Sequence, residues 1–145
     1  MPMRSAFIMK TGIDREKLDW GFRSWLTRTH EDHANTLVVV EVDLLPGFGH
    51  DFHIHPGQDE LVYVLQGKIE QWLGTEKRVL SVNDSAFIEK NTVHASFNAS
   101  HGPAKVLAIL APTIGTDGYE VVEVAHEAPW NEIREESCNG ISESR

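Results

Sequence analysis

Short apolar runs alternate with turn residues along most of this chain. The runs are rich in β-branched residues and span positions 37–42, 61–65, 69–73, 78–80, 85–88, 95–97, 105–110 and 119–124. Gly, Pro, Asn and Asp stand in the breaks between them, as at 46–47, 56–57, 67, 74 and 83–84. Many short strands with regular turn signals predict an all-β domain, either a sandwich or a barrel.

The pattern divides the chain into three zones. Residues 1–35 are predicted to be an N-terminal arm or edge strands, because glycine and alternating bulky residues over 17–26 favour extended backbone over helix. Residues 36–125 are predicted to hold the barrel. In the C-terminal tail, 126–145, we expect the segment 129–133 to dock one aromatic side chain on the barrel and the polar remainder to fray.

Length and charge narrow the range of functions. The chain has 145 residues and a formal net charge of -9, which suits one domain and disfavours a nucleic-acid partner, since an acidic surface repels phosphate. No apolar run approaches the roughly 20 residues that a membrane span needs, and the first ten residues lack the pattern of a signal peptide. The sequence therefore predicts a soluble cytoplasmic protein.

Three histidines and a glutamate indicate a metal site. His53 and His55 are two residues apart, so on a strand their side chains point to the same face. A turn at 56–57 separates them from Glu60, which opens the neighbouring strand, and His94 precedes a further strand. Two histidines and a carboxylate are a recurring ligand set for non-haem iron, so these four are predicted to hold one divalent transition metal: Fe, Mn, Ni, Cu or Zn. Such a set leaves one or two coordination positions open for a small-molecule substrate.

Two further polar residues lie close to these ligands in the sequence. His50 has the wrong parity to share a face with His53 on one regular strand, so we expect it in a loop or at the pocket rim. Gln58 precedes Glu60 by two positions. It either reaches the mouth of the pocket or is a solvated turn residue.

Two amide side chains are candidates farther along the chain. Gln71 alternates with Ile69 and Leu73. If that face looks inward, Gln71 places an amide among apolar walls, as a substrate-orienting group requires; otherwise its two sequence neighbours face inward instead. Asn98 is expected to hold a loop or a ligand histidine in place.

The segment around the first two ligand histidines resembles the first cupin motif. That motif places Gly, five residues, His-x-His, three or four residues, Glu, six residues and Gly in order. Every position is matched with the four-residue spacer, by Gly47, His53, His55, Glu60 and Gly67.

A second segment is similar to the second cupin motif, which places Gly, five residues, Pro-x-Gly, two residues, His, three residues and Asn in order. His94 and Asn98 match it, while Glu89 stands at the proline position. Asn83 and Asn91 stand at the two glycine positions. Because asparagine also adopts left-handed turn conformations, the loss of these glycines is chemically mild.

The resemblance implies an antiparallel β-barrel of jelly-roll type with the metal inside, near one mouth. Small cupins often pair through strands and exchanged arms, so the resemblance also implies a homodimer. Trp20, Phe22 and Trp25 offer an apolar surface for that pairing. The N-terminal arm could equally fold back on its own barrel.

Among the reactions that the cupin resemblance implies, we favour dioxygenase-type oxidation of a small organic substrate. Glu60 would then act both as a metal ligand and as the catalytic base. The alternatives are isomerisation or epimerisation of a sugar or keto acid at the same metal, and a non-catalytic module that binds a small ligand. Phosphosugar chemistry is disfavoured because the predicted cavity strands contain few basic residues, those at 68, 77, 78 and 90 all lying near turns.

Overall fold

The strands form two facing antiparallel sheets in a computed structural model, which describes residues 5–28 and 36–134. In chain order the strands are β1 (Asp14–Leu18), β2 (Gly21–Thr27), β3 (Val38–Leu44), β4 (Gly49–Ile54), β5 (Asp59–Gln66), β6 (Ile69–Leu73), β7 (Glu76–Leu80), β8 (Ser85–Ile88), β9 (His94–Phe97), β10 (Ala104–Ala111) and β11 (Val122–Glu123). A 3-10 turn (Lys10–Gly12) precedes them, and a helical turn over 130–134 follows.

One sheet has the strand order β1-β2-β3-β10-β5-β8 and the other β11-β4-β9-β6-β7. The predicted antiparallel all-β barrel is thereby confirmed, and each predicted apolar run corresponds to a strand. The run at 119–124 is the exception, because only Val122–Glu123 pairs with β4. Its first residues instead follow a tight loop that the Ile114–Gly118 bridge closes.

The core lies between the two sheets. Strand β10 buries every second residue, with Ala104, Val106, Ala108 and Leu110 facing inward. Ile69 of β6 packs from the other sheet into the cluster that contains Val106. Because side chains alternate along a strand, Gln71 and Leu73 also face inward, which settles the alternative left open by the sequence.

The two N-terminal strands form the edge of the six-stranded sheet. β2 pairs with β3 from Gly21 to Thr27, and β1 pairs with β2. The segment therefore folds back on its own barrel. Trp25 is buried and Trp20 packs against the core, so the dimer surface expected from these tryptophans is not available.

The segment 125–134 covers the outer face of the five-stranded sheet. Trp130 and Ile133 pack against the cluster of Phe52, Trp72 and Phe97, which is the docking of an aromatic side chain expected at 129–133. The residues expected to fray, 135–145, lie outside the described ranges. Among the described residues no helix is long and apolar enough to cross a membrane; the cytoplasmic location stays a prediction.

Candidate metal centre

The four predicted ligands meet between the two sheets. His53 on β4 lies directly opposite His94 on β9, and His55 follows the end of β4. Glu60 lies on β5, which belongs to the facing sheet. Glu60 faces the same cavity from the next strand along the chain, as expected, and this strand lies in the other sheet because the turn after His55 carries the chain across. All four side chains are buried.

Their ligand atoms converge on one point. One nitrogen or oxygen atom from each residue lies within 4.8 Å of the others. The Glu60 Oε1 atom is 3.2 Å from His55 Nε2 and 2.9 Å from His94 Nε2. Nevertheless Glu60 Oε1 and His94 Nε2 have no hydrogen bond of acceptable geometry to any described residue. Buried polar atoms that are close together but unsatisfied fit a cation held between them.

The backbone fixes the orientation of each imidazole. His53 Nδ1 is 2.6 Å from the Asp51 carbonyl oxygen, and His94 Nδ1 is 2.9 Å from that of Thr92. His55 Nδ1 is 2.8 Å from the carbonyl oxygen of Glu120. Because a carbonyl oxygen only accepts, each Nδ1 carries the proton and donates it, which leaves Nε2 as the metal-binding atom.

The pKa shifts of Glu60 and His53 favour metal binding, whereas that of His94 favours a competing proton. Burial would raise the pKa of Glu60, but the imidazoles of His55 and His94 outweigh it and hold this pKa well below its usual value. Burial and the neighbouring imidazoles lower the pKa of His53 well below its usual value. Burial also acts to lower the pKa of His94, but the Glu60 carboxylate outweighs it and raises this pKa. An ionised carboxylate and a neutral imidazole are the forms that ligate metals.

His50 lies on β4, not in a loop, and lines the cavity beside the centre. Its ring stacks on that of His53 with the centroids 3.6 Å apart. The parity argument fails because the register of β4 against β9 shifts between these two residues, and such a bulge brings both onto one face. The Nε2 atom of His50 also lies 3.1 Å from Glu123 Oε1.

Gln58 is neither at the pocket mouth nor solvated. It is fully buried and its Nε2 donates to the carbonyl oxygens of Pro112 and Gly118, at 2.8 and 3.0 Å. Its Oε1 accepts from the Glu120 backbone N–H at 3.1 Å. Gln58 therefore holds the loop that presents the Glu120 carbonyl to His55.

Gln71 and Asn98 are not among the residues that line the cavity. Gln71 Oε1 accepts from the Ser96 hydroxyl at 2.6 Å, and it is Ser96 that lines the cavity. Asn98 Nδ2 donates to the carbonyl oxygens of Leu44 and Gly102, at 3.0 and 2.8 Å. Asn98 was expected to hold either a loop or a ligand histidine in place, and these contacts agree with the loop. It makes no hydrogen bond to a ligand histidine among the described residues.

The centre opens into a small cavity of about 50 Å³, which holds roughly four water molecules. Apolar residues of β3 and β10 supply six of its seventeen lining residues. The lining residues that were not identified from the sequence include Trp20, Arg23, Trp25 and Tyr119. Alternation along β2 was the signal that could have found two of them, because Arg23 and Trp25 share one face. Arg23 also corrects the expectation that basic residues are confined to turns.

Comparison with known proteins agrees with this architecture. The family model of the Cupin domain matches residues 40–110. The protein YdbB of Bacillus subtilis (strain 168), described as uncharacterized, is 46% identical over 64 residues, which are 43% of this chain and 51% of that protein. The chain thus matches about half the length of this curated relative.

Solved structures give the same fold. KdgF from Halomonas sp. is 26% identical with a TM-score of 0.65, and the match covers 74% of this chain and 94% of KdgF. A conserved protein with a double-stranded β-helix domain from Klebsiella pneumoniae is 25% identical with a TM-score of 0.64, over 83% of this chain and 99% of that one.

Proposed function

Because residues 40–110 of this chain form a cupin domain, we propose that the chain is a metal-dependent enzyme that oxidises a small organic substrate with dioxygen. The observation that carries this proposal is the convergence of three histidine nitrogens and one carboxylate oxygen beside a largely apolar cavity. A bound transition metal would supply Lewis acidity and, if redox-active, an electron path to dioxygen.

The residues of the chain prepare the site for this chemistry. The backbone carbonyls hold the imidazoles with Nε2 inward, so little reorganisation is needed when a cation binds. The ionised Glu60 offsets part of the cation's charge. Its lowered pKa makes it a weak proton acceptor, which favours the ligand role over the predicted role as catalytic base. The apolar walls keep bulk water away from the substrate.

Dioxygen consumption tests the proposal. The protein is loaded separately with Fe, Mn, Ni and Cu and is offered small diketones, thiols and organic acids. We expect at least one metal form to consume dioxygen in step with product. The variant His55→Ala should abolish this activity, whereas His126→Ala, at an exposed histidine, should keep it. Inactivity of all four metal forms would contradict the proposal.

Arg23 favours a second candidate, isomerisation of a small acidic substrate at the same metal. That chemistry requires a cation near an anionic group, and Arg23 lines the cavity. The two candidates differ in their need for dioxygen. Under anaerobic conditions an isomerase forms a product of the same mass as its substrate, whereas the oxidation stops.

A further inference from the structure

The cavity beside the metal centre has a cation in its wall. Arg23 is on β2, on the same inward face as the buried Trp25. Among the described residues that line the cavity, Arg23 alone carries a permanent positive charge. An arginine beside a largely apolar cavity suits an anionic ligand, because its planar fork of donors matches a carboxylate.

Glu16 pairs with Arg23 but uses only part of its hydrogen-bonding capacity. Arg23 Nε and Nη2 each lie 2.9 Å from the same oxygen, Glu16 Oε1. A guanidinium has five N–H donors, and no other acceptor for them is present among residues 5–28 and 36–134. Donors therefore remain for a ligand on the cavity side.

The charge of Glu16 does not cancel that of Arg23 inside the cavity. The Glu16 side chain is 40% exposed and Arg23 is 17% exposed, so water screens the carboxylate more than the guanidinium. Glu16 Oε1 also accepts from Trp25 Nε1 at 3.3 Å. Glu16 thus orients the arginine and the tryptophan from β1, at the edge of the sheet.

Aromatic rings connect Arg23 to the metal centre. The guanidinium carbon is 5.9 Å from the centroid of the Tyr119 ring, and that ring is 5.2 Å from the ring of His55. Burial and the charge of Glu60 raise the pKa of Tyr119, so its hydroxyl stays protonated and is able to donate. Arg23, Tyr119 and the metal centre therefore line the same cavity, so one ligand has access to all three.

We propose that Arg23 is a specificity-determining residue that binds the carboxylate of a small organic acid, while a second oxygen of the same molecule reaches the metal centre. This inference rests on the proposed function only in placing the reacting end of the substrate at the metal. The small cavity limits the acid to a few carbon atoms. Trp20 and Trp25 contribute to the apolar wall of the cavity.

Calorimetric titration with matched acids and amides tests the subsite without any turnover. The probes are pyruvate against pyruvamide, lactate against lactamide and malonate against malonamide, on metal-free protein and on protein loaded with Mn²⁺ or Zn²⁺. We expect at least one acid to bind more tightly than its amide. Replacing Arg23→Gln should reduce the affinity for that acid by about ten- to a hundredfold and leave the affinity for the amide unchanged.

Two further variants separate charge from folding. Arg23→Lys keeps the charge but loses the planar fork, so it should retain part of the preference for the acid. Arg15→Gln removes an exposed arginine that contacts Asp43 on the outer side of the sheet and should change nothing. Metal content is measured alongside each titration.

The outcomes distinguish the two proposals. Equal affinity for acid and amide in the wild type, or a preference that survives Arg23→Gln because the metal alone binds the carboxylate, would overturn the role of Arg23. A preference for the acid that depends on Arg23, in a protein that consumes no dioxygen, would support the subsite and refute the oxidation.

Discussion

At the scale of single residues, the backbone decides which atom each imidazole offers to a metal. The carbonyl oxygens of Asp51, Thr92 and Glu120 each accept from the Nδ1 of one ligand histidine. The contact with Asp51 lies within β4, and the contact with Thr92 lies in the turn that precedes β9. The third joins residues 65 positions apart in the chain and depends on the loop that Gln58 holds. Metal binding by His55 is therefore linked to the position of that loop.

Metal affinity should fall in acid. The Glu60 carboxylate raises the pKa of His94 in the metal-free protein, so a proton competes with the metal for Nε2 at any pH below that pKa. We expect the affinity for Zn²⁺ to fall by about tenfold for each pH unit below it. Competition with a chromogenic chelator between pH 8 and pH 5.5 measures this, and an affinity independent of pH would exclude His94 as a ligand.

The spacing of residues predicted much of the candidate site. The motif pattern identified the four residues that meet between the sheets, and the left-handed conformation expected of Asn83 and Asn91 is confirmed by φ values of 77° and 64°. His50 lines the cavity, in agreement with the expected rim position, but its place on β4 was not predicted because a β-bulge reverses parity and leaves no periodic signal. Gln58 was misplaced because its partners lie more than 50 residues away, at Pro112 and Gly118.

At the scale of elements, an ion pair with the buried Glu70 holds the segment 125–134 against the barrel. Glu70 faces outward on β6 yet is buried under the segment 125–134. Its Oε2 accepts from Trp72 Nε1 at 2.6 Å and from Arg134 Nε at 2.8 Å. The Arg134 guanidinium also lies 3.8 Å from the centroid of the Phe97 ring.

Removing this arginine should destabilise the fold. Arg134→Ala leaves the Glu70 carboxylate buried without its cation, and we expect the free energy of unfolding to fall by about 1–3 kcal/mol. Arg78→Ala is the matched control, since the pair of Arg78 with Glu76 is exposed and should contribute less than about 1 kcal/mol. Urea denaturation measures both. Equal losses of unfolding free energy in the two variants would show that Glu70 does not hold the segment against the barrel.

The alternation of apolar and polar residues predicted most strands within residues 36–125, because each of these strands has one face in the core. The contribution of β2 to the cavity was not foreseen. Its pattern indicates an extended segment, but the strand with which that segment pairs is set by the closure of the sheet, which periodicity does not encode. Trp20 and Trp25 were therefore assigned to a dimer surface although they line the cavity.

At the scale of the whole molecule, the homodimer remains a prediction, and we place its interface at the β1 edge. Among the described strands β1 pairs only with β2, and Phe7 and Met9 nearby are 97% and 66% exposed. An open edge with apolar residues beside it favours pairing with a second copy of the chain.

Light scattering after size exclusion tests this dimer. We expect twice the chain mass for the wild type and a shift towards the monomer for the double variant Phe7→Ser, Met9→Ser. Phe87→Ser on β8, at the opposite edge of the same sheet and 62% exposed, should leave the dimer intact. A monomeric wild type would refute the prediction, and loss of the dimer only in Phe87→Ser would move the interface to the other edge.

The metal centre itself is tested most directly by elemental analysis of tag-free protein purified without chelator. The wild type and the exposed-histidine control His126→Ala should each carry about one equivalent of a transition metal, because three Nε2 atoms and one carboxylate oxygen form a complete ligand set. The double variant His53→Ala, His55→Ala should carry none while it keeps its β-sheet circular dichroism. A wild type that holds no metal even after reconstitution, or a double variant that holds as much as the wild type, would contradict a metal centre at these residues.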